Sequence, residues 1–215
     1  LKKKNMILKI QNKALELSMF LSLPASVALL VGSEEIISAL FGYGSFNEIA
    51  VNNTAKALYY FSFGLPAFAL IKVFSTFFFA NNNTKTPFYI SLFSVVLNTI
   101  ISIYFFKSIG FIVIPIATSV SSWFNALLLF IYLKDKNLFQ FENLFLIKIF
   151  KIIFASIIMG MFFKFLIIIF ENQLIYDYYF KSFYLILSVF LGLTFYLLLS
   201  FFIKAFKYSD IKLRY

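Results

Sequence analysis

The chain has 215 residues, of which 62% are hydrophobic and 13% charged, with a mean hydropathy of +0.91. A charged share about half that of an ordinary soluble domain excludes a water-exposed globule and predicts an integral membrane protein, so the net charge of +10 reads as a signal of membrane sidedness and no nucleic-acid partner is expected. With neither cysteine nor histidine in the sequence, disulfides, thiolate or imidazole catalysis and His/Cys metal sites are excluded, and no catalytic residue, metal or other cofactor is expected.

The chain opens on Leu1 rather than methionine, with no signal-peptide pattern behind it, and is expected to be a piece of a longer protein. Crossing a bilayer takes about 20 apolar residues, and six windows qualify: 15–31, 55–79, 88–106, 111–133, 146–170 and 182–203. Each is apolar nearly all round, which fits buried helices and not the alternating strands of a barrel, so the fold class is an all-α bundle of six transmembrane helices. The expected organisation is a basic segment (1–14), four helices (15–133), a loop (134–145), two further helices (146–203) and a basic tail (204–215).

In chain order, the first window carries Pro24, a candidate helix break, and Glu16 at its mouth, where the carboxylate is expected to reach water. In the loop GSEEIISALFGYGSF that follows, Ile36, Ile37, Leu40 and Phe41 share one helical face and Gly42 can stop the turn. A short interfacial helix is predicted there, with an ordinary loop as the alternative. The second window holds Gly64 and Pro66, a second candidate break, and Lys72. An amine at that depth points to function unless it snorkels to the interface, so Lys72 is a candidate cavity residue.

The stretch FFFANNNTKTP then separates the second window from the third, and Thr84, Lys85, Thr86 and Pro87 form an expected tight elbow with Pro87 opening the next helix. In the third window Ser91, Ser94, Asn98 and Ser102 fall on one helical stripe, and Thr118, Ser121, Ser122 and Asn125 repeat the device in the fourth, which also carries Pro115 as a third candidate break. Such stripes either pack helices together or line a wet cavity, and Asn98 and Asn125 are the cavity candidates. In the fifth window Lys164 is expected to snorkel, with Glu171 two turns onward.

Cations set the expected orientation. Lys2, Lys3, Lys4, Lys9, Lys13, Lys85, Lys134, Lys136, Lys148, Lys151, Lys204, Lys207, Lys212 and Arg214 gather on one side, against Lys56, Lys107 and Lys181 on the other, where Glu34, Glu35, Glu48, Glu171 and Asp177 lie. By the positive-inside rule both termini are expected in the cytoplasm.

The series LSLPASVALL, ISALFGYGSF, FGLPAFALIKVFSTFFFA, NTKTP, VVLN and SSWFNALLL, in that order over residues 14–135, resembles the later half of the MurJ (MviN) lipid II flippases. The resemblance implies the last six helices of a fourteen-helix, two-lobed member of the multidrug/oligosaccharidyl-lipid/polysaccharide exporter superfamily. It further implies a multi-pass protein of the bacterial inner membrane that makes and breaks no bond. Such a protein moves the undecaprenyl-linked peptidoglycan precursor, lipid II, from the cytoplasmic to the periplasmic leaflet by alternating access, in cell wall biogenesis. Lipid II, membrane lipids and the missing amino-terminal lobe are the implied partners. A polysaccharide or drug exporter of the same superfamily, a structural membrane subunit and a membrane-embedded transferase are the alternatives.

Overall fold

The computed structural model describes residues 2–142 and 144–205, with side chains from residue 6 onward. Of the cations used to orient the chain, the side chains of Lys2, Lys3 and Lys4, and Lys207, Lys212 and Arg214 with most of the basic tail, lie outside the described residues. The described residues form α1 (Lys2–Val31), α2 (Ser33–Phe41), α3 (Glu48–Ser62), α4 (Leu65–Phe79), α5 (Lys85–Ile109), a 3-10 turn (Gly110–Ile112), α6 (Val113–Asp135), α7 (Phe145–Ile169), α8 (Glu171–Leu174) and α9 (Lys181–Phe202), with no strand among them.

Four stretches are long and apolar enough to cross a membrane, namely Met6–Val31, Lys85–Asp135, Phe145–Ile169 and Lys181–Phe202, and the interrupted α3–α4 pair makes a fifth. The 51-residue stretch is two helices folded back on each other at Gly110, whose φ of 71° suits a glycine. Ser91 and Phe93 of α5 meet Asn125 and Phe124 of α6, while Asn98 meets Thr118, an antiparallel register. The all-helical membrane fold is therefore as expected, with about six crossings.

The chain divides into two compact units. The first, Leu1–Ser22 with Phe63–Phe150, has a core of Leu15, Phe74, Phe77, Phe78, Ile90, Leu129, Leu133, Phe139 and Phe145. Phe139 comes from the α6–α7 connection and is folded inward against Phe77 and Phe141, at ring-centroid distances of 5.9 and 4.9 Å. Asn12 holds that connection on α1: its amide donates to the Gln140 carbonyl (2.9 Å) and its oxygen accepts from the Glu142 N–H (3.2 Å). Nearby, Glu16 is buried and accepts from Lys148 at 2.7 Å, which corrects the expectation that it reaches water. A buried carboxylate is costly unless paired, and the Lys148 ammonium offsets part of that cost.

The second unit, Leu23–Ser62 with Lys151–Tyr215, packs α1 against α7 at Gly160, where a Cβ would collide with Val27 Cγ1. Small residues at such crossings let membrane helices approach closely. An apolar cluster of Ile37, Val51 and Ala55 joins α2 to α3, and α2 itself is the short helix expected between the first two windows.

Candidate functional site

The proline positions part company. Pro24 lies inside the uninterrupted α1 and is no helix break, a correction to the sequence reading. A proline removes one donor, and packing in a membrane helix tolerates that. Pro115 is likewise no break, being the third residue of α6, where backbone N–H groups have no intrahelical partner to lose. Gly64 and Pro66 do interrupt a helix: α3 ends at Ser62 and α4 begins at Leu65.

That interruption frees carbonyls that lipid cannot solvate, and side chains take them up. Pro66 has no N–H for the carbonyl of Ser62, which accepts instead from Ser26 Oγ at 2.6 Å. The Phe63 carbonyl accepts from the indole N–H of Trp123, the one tryptophan in the chain, at 2.9 Å. Gly64 has ordinary helical angles, so its lack of a side chain serves proximity: a Cβ there would lie 2.9 Å from Ser119 Oγ and 3.1 Å from Ser119 Cα.

In the elbow each asparagine has a separate task. Asn81 donates back to the Phe77 carbonyl (2.8 Å). Asn82 takes the left-handed conformation (φ 56°), and the N–H groups of Asn82 and Asn83 close on the carbonyls of Phe79 and Phe78, the pattern of a Schellman cap. Asn83 then starts α5: its side-chain oxygen accepts from the Thr86 N–H (3.1 Å) and its amide donates to Thr86 Oγ1 (2.9 Å). Lys85 and Pro87 fall in the first turn of α5, as the sequence implied, and Thr84 precedes it.

Asn98 and Asn125 both lie in the α5–α6 seam, at different levels and on different partners. Asn98 donates to Thr118 Oγ1 (3.0 Å) and accepts from Ser102 Oγ (3.2 Å), while Asn125 donates to Ser91 Oγ at 3.4 Å and its buried oxygen has no partner among the described residues. Lys72 is not among them. It is exposed on the face of α4 that carries Phe68 and Thr76, opposite the buried Phe74 and Phe78, and makes no hydrogen bond or ion pair among the described residues. Lys164 pairs at 4.0 Å with Glu35 and not with Glu171.

Lys181 escaped the sequence reading, which placed it in an outer loop. It is buried, donates to the carbonyls of Gly42 (2.7 Å) and Tyr176 (2.5 Å), and lies 4.4 Å from the ring centres of both Tyr43 and Tyr176. Ser182 adds a bond to the Ala39 carbonyl (2.6 Å), and Tyr176 Oη donates to the Phe46 carbonyl (2.7 Å). Together they latch the GYGSF turn to the start of α9. A signal was present: a lysine opening a helix opposes the helix dipole, so another interaction must hold it there.

Comparison with known proteins follows the same lines. A model of the family "Lipid II flippase MurJ" matches residues 1–190. A "Probable lipid II flippase MurJ" of Rickettsia prowazekii (strain Madrid E) is 37% identical over 134 residues, 62% of this chain and 26% of that protein. One of Buchnera aphidicola subsp. Schizaphis graminum is 30% identical over 205 residues, 93% of this chain and 39% of the relative. A solved structure, "Lipid II flippase MurJ, inward closed conformation", superimposes with a TM-score of 0.73 at 26% identity, over 92% of this chain and 39% of that one. The chain thus spans between about a quarter and two fifths of the length of these proteins.

Proposed function

Because the chain belongs to the lipid II flippase MurJ family, we propose that it forms the second lobe and the two carboxyl-terminal helices of a lipid II flippase. The observation that carries this reading is the superposition of 92% of the chain on a solved lipid II flippase with a TM-score of 0.73. In the proposed mechanism a first lobe rocks against this one, and a cavity between them opens to each leaflet in turn. Translocation makes and breaks no covalent bond, so the chain acts as a transporter and not as an enzyme. Its proposed place is the bacterial inner membrane, with both termini cytoplasmic and the NTKTP elbow on the cytoplasmic side.

Lys72 is the proposed cavity residue. A pyrophosphate-linked substrate needs cations where water is scarce, and the Lys72 amine is left without a partner among the described residues. The elbow, capped at every asparagine, serves as a rigid hinge end for α4 and α5. The test is rescue of cells depleted of their own lipid II flippase. Co-expression with a first lobe from a close relative should restore growth, and the 215 residues expressed alone should not. Failure of the paired lobes, when both reach the membrane, would overturn the proposal.

A further inference from the structure

We propose that the cavity enclosed by α2, α3 and the α7–α8 end binds a primary organic ammonium group, as carried by an aminophospholipid headgroup or by a free amine. The cavity measures about 390 Å³, the size of a headgroup and not of a single water, and four carboxylates line it: Glu34 and Glu35 of α2, Glu48 of α3 and Glu171 of α8. Carboxylates at helix starts have a structural use, since they complement the helix dipole. Their number exceeds it here. The N-termini of α2 and α3 offset roughly half a charge each, and Lys164, 4.0 Å from Glu35, offsets one more, which leaves about two negative charges without a counter-charge.

An independent observation points to a ligand. Ser38 lines the same cavity, is 5% exposed, and its Oγ has no hydrogen-bond partner among the described residues. A buried hydroxyl without a partner is costly unless something enters the cavity to meet it. An ammonium fits this set because it brings three N–H donors to surfaces that are almost all acceptors, with Asn52 as a further one. A metal ion fits less well, since no three acidic side chains among the described residues converge at ligand spacing. Burial of Glu35, with Glu34 beside it, raises the cost of leaving the site without a cation. The floor is apolar, from Val51 and Leu174, which suits the methylenes next to an amine.

The inference concerns binding and is independent of the flippase reading. It is tested on the chain in nanodiscs by thermal unfolding, with ethanolamine as the soluble probe and choline, which has no N–H, as its control. In phosphatidylcholine nanodiscs, ethanolamine should raise Tm saturably by about 2–4 °C and choline should not. Replacing part of the phosphatidylcholine by phosphatidylethanolamine should give a similar rise if the source is lipid, and none if it is a free amine. The double variant Glu34→Gln/Glu48→Gln, changed at two exposed positions, should lose the increment whatever its baseline, and Glu171→Gln provides a second variant should the first fold poorly. No ethanolamine response in the wild type, an equal response to choline, or an unchanged increment in both variants would overturn the proposal.

Discussion

Glu35 and Lys72 are both ionisable groups near lipid, and their surroundings set different expectations. Burial pushes the Glu35 carboxyl above its ordinary value, against the opposing pull of its own backbone N–H and of Lys164, and Glu34 adds to the rise. The folded state therefore holds that proton more tightly than the unfolded state does, and stability falls as pH rises from the ordinary carboxylate value through the raised one. Glu35→Gln should accordingly unfold at a higher temperature than the wild type at pH 7 in amine-free buffer. The difference should shrink as pH drops through the raised value, which thermal melts across an acid-to-neutral series would show. For Lys72 the readout is transport. If the exposed amine meets the substrate phosphates, Lys72→Met impairs complementation by the two-lobed flippase at unchanged membrane abundance, and Lys72→Arg keeps part of it, since the charge survives but the compact ammonium does not. Full activity of the Met variant would leave snorkelling as the account of Lys72.

The broken α3–α4 pair is where the elements depend on single contacts. Trp123→Phe keeps an aromatic side chain but removes the indole N–H that the Phe63 carbonyl accepts from, a loss of about 1–3 kcal/mol if nothing replaces it. Gly64→Ala drives a methyl against Ser119, including its Cα, which cannot turn away, so α4 and α6 must separate. Both variants should lower the unfolding temperature, with Gly64→Ser no better than Ala. The break itself was legible, because Gly64 and Pro66 remove a side chain and a donor within three residues. Pro24 and Pro115 carried the same letter without the same effect: Pro115 falls in the first turn of α6, where no intrahelical bond is lost, and Pro24 is tolerated inside α1 by its tertiary surroundings. The polar stripes were legible as stripes through their helical spacing. Which partner each would find, Asn98 on Thr118 or Asn125 on Ser91, depends on a register that no local pattern contains. Lys181 was hidden for the same reason, its partners on the GYGSF turn lying 139 residues away.

At the scale of the whole molecule, the proposed sidedness rests on the distribution of charge along the sequence. The C-termini of α4, α6 and α9 each close with a non-glycine residue in the left-handed region, Asn82, Asn137 and Lys204, and lysines stand at or within three residues of each in the sequence. Within the second unit the carboxylates of α2, α3 and α8 line one cavity and Lys181 is buried at the start of α9. The positive-inside rule supports the proposal that the cation-rich loops and helix ends are cytoplasmic. The chain contains no cysteine, so single substitutions can be read without background. Lys85→Cys and Lys136→Cys should resist a membrane-impermeant thiol reagent in intact cells and react once the membrane is opened. Glu48→Cys and Asp177→Cys should react in intact cells. Labelling of position 85 from outside would invert the proposed topology, and with it the side on which the elbow acts and the leaflet that the acidic cavity faces.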